Sequence, residues 1–311
     1  MKSLCDRFSE YIKDYSCEYH FDEPLKNHCT FRIGGNAEIL FIPYDEEALK
    51  AAVLFAGEEN CPLTILGNGS NVLISDKGLN GITVRMTGGL TQMKLNEDGS
   101  VYSEAGVPLM KLCSFALEHS LSGLEFAYGI PGSVGGALYM NAGAYGGEIK
   151  SVLLSVRSMD KTTGEITDTP LSELLYEYRN TSFMKNGRII TGGTFRLIPS
   201  DRDTISAEMN SLMQKRRDRQ PLNYPSAGST FKRPPKDANG KEVYAAKLIE
   251  EAGLKGTFVG DAEVSKKHSG FIINKKNATF SDVTDLMELV QQKVYENSGI
   301  MLTPEVEILK N

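Results

Sequence analysis

The chain has 311 residues, with 34 Lys and Arg against 40 Asp and Glu, a net charge of −6. This length predicts about two domains, and 41% hydrophobic with 24% charged residues excludes bulk disorder. The acidic balance argues against a general nucleic-acid binder, so an anionic ligand must be held by local cations or backbone N–H groups. No apolar run approaches the roughly 18 residues of a membrane span, and the acid-bearing start lacks the apolar stretch of a secretory signal. The cysteines, Cys5, Cys17, Cys29, Cys61 and Cys113, are odd in number and form no C-x-x-C pair. That predicts a reduced cytoplasmic protein with no disulfide framework and no cysteine-based zinc site.

In chain order, Leu4, Phe8, Tyr11 and Ile12 have helical spacing, and Ala37 to Pro43 is a short apolar run that predicts a buried strand. Asp45 to Glu59 predicts a helix capped by Asp45. LTIL (63–66), VLIS (72–75) and ITVRM (82–86) predict three strands, the first two separated by the loop GNGSN. MKLNEDGSVYSEAG predicts a hairpin, and Pro108 to His119 a helix with Pro at its start. The segment 129–147 is dense in glycine. A second hairpin turns at Lys161-Thr162-Thr163-Gly164, and a strand ends near residue 198.

The character then changes, placing a boundary near residue 200. Arg202 to Arg219 is a charged helix, and Tyr244 to Glu251 a helix stopped by Gly253. In Ser281 to Asn297, Val283, Leu286, Met287, Val290 and Val294 line one face, with Ser281 as cap and Gly299 as stop. The chain closes with a strand, LTPEVEIL, on which Glu305 and Glu307 share a face.

Three loops carry candidate chemistry. Gly67-Asn68-Gly69-Ser70-Asn71 lies between two strands and lacks a third glycine, so it does not fit a Rossmann fingerprint. Its small residues suit either a nest of N–H groups for phosphate or a plain hairpin turn. Gly129 to Gly136 (GIPGSVGG) allows a ligand to approach backbone without a Cβ in the way. In PSAGSTFKRP, Ser229 and Lys232 spell S-x-x-K, but the companion elements of a serine acylase are missing. Ser229 is then a proton donor or an ordinary loop serine. The cations of KRRDRQP (215–221) suit phosphate or a solvated helix face. Arg179, with aromatic neighbours in YEYRNTSF, suits an anion clamp or a snorkelling surface position. No H-E-x-x-H and no carboxylate cluster predicts a metal. These residues alone describe a two-part α+β protein that binds a phosphate-bearing cofactor on glycine loops.

The same segments, in this order, resemble the MurB family, the UDP-N-acetylenolpyruvoylglucosamine reductases of bacterial cell-wall synthesis. They are NHCTFRIGGNAE (27–38), LGNGSNVLISDKGLNGITVRM (66–86), GLEFAYGIPGSVGGALYMNAGAYGGEI (123–149), YRNTSF (178–183), RQPLNYPSAGSTFKRP (219–234), AAKLIEEAGLKG (245–256), HSGFIIN (268–274) and LTPEVEI (302–308). The resemblance implies an α+β chain. Its FAD-binding domain, of the vanillyl-alcohol oxidase-like type, would span 1–199, with subdomains of about 1–88 and 89–199. A substrate-binding domain for the UDP-sugar would span 200–311. The implied reaction is reduction of FAD by NADPH, then hydride transfer to the enolpyruvyl group of UDP-N-acetylglucosamine enolpyruvate, giving UDP-N-acetylmuramate in a ping-pong scheme. The implied setting is a cytoplasmic monomer with small-molecule substrates and no nucleic-acid or membrane partner.

By the same resemblance Arg179 and Glu305 polarise the substrate carboxylate and Ser229 is the general acid. The flavin is held by Gly67, Asn68, Gly69, Ser70 and Asn71, and by Gly129, Ile130, Gly132, Ser133, Gly135, Gly136 and Ala142. Tyr178, Arg219, Lys232 and His268 line the UDP-sugar side. Two features depart from one branch of the family. No inserted loop lies between Phe183 and Thr204, and Arg233 stands where that branch has Asn. A flavin oxidase of the same fold and a flavin-free nucleotide-sugar sensor are the competing expectations.

Overall fold

The computed structural model describes residues 2–237 and 239–311. The chain divides into two compact units. The first comprises Met1–Glu23, Ala37–Asn68 and Asn80–Arg216; the second comprises Pro24–Asn36, Gly69–Leu79 and Arg217–Asn311. The second unit is therefore assembled from three stretches of sequence, two of them taken from the N-terminal third. Both contain helices and strands, an α+β chain. No helix among the described residues is long and apolar enough to cross a membrane.

The first unit contains two sheets. One has the strands Cys17–Pro24, Asn36–Pro43, Leu79–Arg85 and Leu63–Leu66 in that spatial order, with the last two parallel. Helices α1 (Leu4–Ile12) and α2 (Glu46–Glu58) cover it. Ser3 and Asp45 cap them, each side chain accepting from the backbone N–H three residues on. The fully buried Phe8 ring of α1 meets Phe41 of the sheet and Phe55 of α2 edge-on, at 5.4 and 5.2 Å between centroids.

The other sheet runs Ile166–Pro170, Leu153–Asp160, Arg188–Phe195, Val101–Glu104, Met93–Leu95, antiparallel throughout. Helix α3 (Leu109–Glu118) follows the strand Val101–Glu104 in the chain. The glycine-rich segment folds into a further helix, α4 (Val134–Met140), capped by Ser133. A Cβ on Gly193 would lie 2.8 Å from Leu138, and one on Gly135 would lie 2.8 Å from Ala105. Gly135 of this run and Gly193 of the sheet thus serve the close approach of α4 to its neighbours.

The second unit is built on α7 (Phe280–Ser298), whose Val283, Leu286, Met287, Val290 and Val294 are all buried. They pack with Leu248 and Ile249 of α6 (Ala245–Glu251) and with Ala262, Val264 and Ile272 of a three-stranded antiparallel sheet. Helix α5 (Arg202–Arg219) precedes them. The cap of α7 is Thr279, not Ser281. Its hydroxyl accepts from Asp282 N at 3.1 Å, and the Asp282 carboxylate accepts from Thr279 N at 2.9 Å. Thr279→Ala is expected to cost about 1 kcal/mol in a urea melt and Ser281→Ala only a few tenths of that; equal costs would show that the cap contributes nothing.

The final strand is shorter than predicted. Only Glu307–Leu309 is strand, paired in parallel with Val72–Ile74. Glu305 lies before it, so Glu305 and Glu307 do not share a strand face.

Candidate active site

The loop at 67–71 is not a hairpin turn. Its flanking strands do not pair with each other: Leu63–Leu66 pairs with Leu79–Arg85, and Val72–Ile74 pairs with Glu307–Leu309. Among the described residues no acceptor lies against the backbone N–H of Gly67, Asn68, Gly69 or Ser70. Four successive polar groups are thus left for a ligand or solvent, since buried backbone donors are nearly always paired.

In the first unit this loop meets the second glycine loop. The Asn68 amide donates to Pro131 O at 2.6 Å. A Cβ on Gly67 would lie 2.5 Å from Ser133 Oγ. Along 129–136, the N–H groups of Ile130, Val134, Gly135 and Gly136 are consumed internally, by Ala127, Val107, Ala105 and the Ser133 hydroxyl. Those of Gly129, Gly132 and Ser133 have no acceptor among the described residues. Ala142 N donates to Ala137 O and its carbonyl accepts from Ile149 N, so its backbone is engaged at the end of α4.

Gly129 has a second neighbour. A Cβ there would come 2.9 Å from Cδ of Arg216. Burial pushes the Arg216 guanidinium below its ordinary pKa, with Tyr145 partly opposing the shift. Of the cations in KRRDRQP, Arg216 is the one set against the glycine loop, whereas Arg219 is exposed. The sequence marked the run but gave no reason to separate Arg216 from its neighbours.

Arg179 occupies a tight turn between Tyr176–Glu177 and Asn180–Thr181, with φ +52°. Its Nη1 donates to Asn141 O at 3.2 Å, Nη2 lies 3.5 Å from Gly143 O, and the guanidinium sits 5.1 Å from the centre of the exposed Tyr178 ring.

In the second unit, Ser229 and Glu305 are brought together through backbone. Glu305 N donates to Thr230 O, Lys232 N donates to Thr303 O, both at 2.8 Å, and Phe231 bridges Pro304. Thr230 anchors this loop: it is buried, its N–H donates to Gly270 O at 2.8 Å, and its hydroxyl accepts from Ile272 N at 3.1 Å. Ser229 itself is exposed and follows Gly228, whose φ is +78°. The Asn71 side-chain amide donates to Glu305 O at 3.1 Å and the Asn71 main-chain carbonyl accepts from Glu307 N at 2.9 Å, so Asn71 holds the Glu305 segment.

His268 lies on the chain that anchors Thr230. Burial pushes its pKa down, and Lys255 adds to the shift against its own backbone hydrogen bond and Glu250. Its Nδ1 accepts from Gly270 N at 3.2 Å, which assigns the proton of the neutral ring to Nε2 as a donor. Arg233, by contrast, is tied to Glu242 at 2.9 Å and lies over Tyr244.

Residues 220–309 match the family model described as the C-terminal domain of UDP-N-acetylenolpyruvoylglucosamine reductase, and residues 37–170 match one described as an FAD binding domain. The UDP-N-acetylenolpyruvoylglucosamine reductase of Clostridium novyi (strain NT) is 47% identical over 289 residues, covering 92% of this chain and 90% of that relative. The chain belongs to the UDP-N-acetylenolpyruvoylglucosamine reductase family. The reductase of Caldanaerobacter subterraneus subsp. tengcongensis is 42% identical and covers 98% of both chains. The crystal structure of the Thermus caldophilus reductase superposes with a TM-score of 0.78 at 32% identity, over 95% of this chain and 99% of that one.

The residues present fit the flavin that the family requires. A pyrophosphate needs several converging donors and no side chain between them. Within the first unit, the open N–H groups of Gly67, Asn68, Gly129, Gly132 and Ser133 lie on two glycine-rich loops tied together by the Asn68 amide, and they are donors of the kind a pyrophosphate takes.

Proposed function

We infer that the chain is an FAD-dependent reductase that converts UDP-N-acetylglucosamine enolpyruvate to UDP-N-acetylmuramate for peptidoglycan synthesis, drawing its electrons from NADPH in a separate half-reaction. The observation that carries this is the Ser229 loop. An exposed hydroxyl stands on backbone locked to the Glu305 segment, in a chain 47% identical to a reductase of this name. Residues 1–199 are assigned to the flavin and 200–311 to the UDP-sugar. The matches at 37–170 and 220–309 support that division. A nucleotide-linked sugar substrate puts the enzyme in the cytoplasm.

When bound, FAD supplies the hydride that reduces the enolpyruvyl double bond. The chain's residues then have three tasks. Hydride addition at the terminal carbon drives negative charge toward the substrate carboxylate, so fixed donors there lower the barrier. Arg179 supplies two N–H groups and a positive charge, and Glu305 completes the carboxylate contacts by sharing a proton. The Ser229 hydroxyl delivers a proton to the adjacent carbon, with Lys232, three residues on, as a source for resupply. The open N–H groups of Gly67 to Ser70, with Gly129, Gly132 and Ser133, hold the cofactor. Tyr178, Arg219 and the Nε2–H of His268 are assigned to the UDP-sugar. Ile130, Gly135, Gly136, Ala142 and Asn71 shape these loops, since their polar groups are engaged within the chain.

The purified protein is expected to be yellow. Its absorbance near ~450 nm, the usual band of the bound cofactor, should fall on anaerobic addition of NADPH and return on addition of the enolpyruvyl UDP-sugar. Recovery with oxygen but not with the UDP-sugar would make it an oxidase. A colourless protein that takes up no FAD would sink the reductase reading.

A further inference from the structure

Asn141 closes α4 in the left-handed conformation, at φ +44°, and is 1% exposed. Its amide nitrogen donates to Glu148 Oε2 at 3.0 Å and to Glu177 O at 3.1 Å. Its amide oxygen accepts from Lys150 N at 3.0 Å, and its main-chain carbonyl accepts from Arg179 Nη1 at 3.2 Å. Two more bonds fasten the turn that carries Arg179. Lys150 Nζ donates to Tyr176 O at 2.8 Å, and the Thr181 hydroxyl donates to Tyr139 O at 2.7 Å.

Arg179 needs this support. A non-glycine residue at φ +52° pays about 1–2 kcal/mol for crowding between Cβ and backbone, and such conformations persist only where the surroundings over-determine them. The Asn141 side chain joins the three pieces concerned: the end of α4, the backbone at 148–150, and the strand leading into the turn.

We propose that Asn141 is a positioning residue for catalysis, its buried amide fixing the hairpin so that the Arg179 guanidinium is held on the Asn141 and Gly143 carbonyls in the orientation that receives the substrate carboxylate. This rests on the role given to Arg179 above. Asn141→Gly isolates the side chain, because glycine keeps the left-handed backbone without strain. It is expected to leave the flavin spectrum and NADPH-driven bleaching unchanged and to slow recolouring by the enolpyruvyl UDP-sugar about 10–100-fold, the scale of a guanidinium displaced by roughly an ångström.

A double-mutant cycle decides whether the effect passes through Arg179. In an Arg179→Ala background, Asn141→Gly should cost less than about twofold more. A full second loss there would overturn the inference and show a general structural role. If Arg179→Ala alone leaves recolouring intact, the role of Arg179 fails first, independently of the cycle. Should Asn141→Gly fail to retain flavin, Glu148→Ala removes one acceptor and leaves the turn's backbone untouched. The same cycle then applies, with about a tenfold loss expected and the same additive outcome overturning it.

Discussion

Ser229→Ala is expected to bleach with NADPH at close to the wild-type rate and to recolour with the enolpyruvyl UDP-sugar about 10²–10⁴-fold more slowly, the usual contribution of a positioned proton donor. The structure makes this substitution a clean one. The loop is held by its neighbour: Thr230 donates from its N–H, accepts at its hydroxyl from Ile272, and accepts at its carbonyl from Glu305. None of these bonds uses the Ser229 side chain, which is exposed. Removing the hydroxyl therefore leaves the bridge between Phe231 and Pro304 in place. Rapid-mixing absorbance traces separate the two half-reactions. Equal slowing of both, or an unchanged second one, would take the proton-donor role away from Ser229.

Much of the local structure was legible in the chain because its causes are local. Asp45 and the apolar spacing after it specify α2, and Gly299 at φ +70° ends α7 where a left-handed residue was expected. Even the misplaced cap of α7 had a local signal. Thr279 and Asp282 are three apart and bond reciprocally, whereas Ser281 is only the serine nearer the apolar face. The helix α4 had no such signal. Glycine is a poor helix former, and two sit in its first turn. What makes it helical is close approach to the sheet, seen at Gly135 against Ala105 and Leu138 against Gly193. Tertiary contact outweighs propensity there, and a single sequence does not display it. The polar strand Cys17–Pro24 has no sequence signal for a related reason: half of it is exposed at a sheet edge, so it carries no apolar run.

The site divides in the same way. Its residue types were visible, and the family resemblance supplied their roles. The supports were not visible, because they join residues far apart in sequence. Thr30 donates from its hydroxyl to Ser226 O at 2.7 Å, and Asn71 reaches Glu305. Asn71 sits within a loop whose other residues keep open N–H groups, and nothing local distinguishes it from them. Arg179 shows the same limit from the other side. A left-handed conformation is the last expectation for an arginine, and it becomes intelligible only once the Asn141 and Gly143 carbonyls are seen to hold its far end.

The second large effect is expected at Gly69. Its φ is +60°, and a Cβ there would lie 2.3 Å from His28 O and 2.6 Å from Cys29 Cα. Both are backbone atoms, so no side-chain rotation relieves the contact. The opposing chain is also tied to this residue, since Thr30 N donates to Gly69 O at 3.0 Å. Gly69→Ala therefore combines a left-handed alanine, costing about 1–2 kcal/mol, with a forced shift of the loop against backbone. Gly67 is a gentler case, because the atom its Cβ would meet is the Ser133 hydroxyl, which can swing aside at the cost of a helix cap. The shift at Gly69 moves the open N–H groups on either side of it out of register with any bound pyrophosphate. FAD affinity should fall about 100-fold, which is roughly 2.7 kcal/mol, while the far-ultraviolet spectrum stays that of a folded chain. Equilibrium dialysis against FAD measures this directly. Wild-type affinity in a folded Gly69→Ala protein would show that the loop does not hold the cofactor. The free donors at 67–70 would then have to be reassigned to solvent.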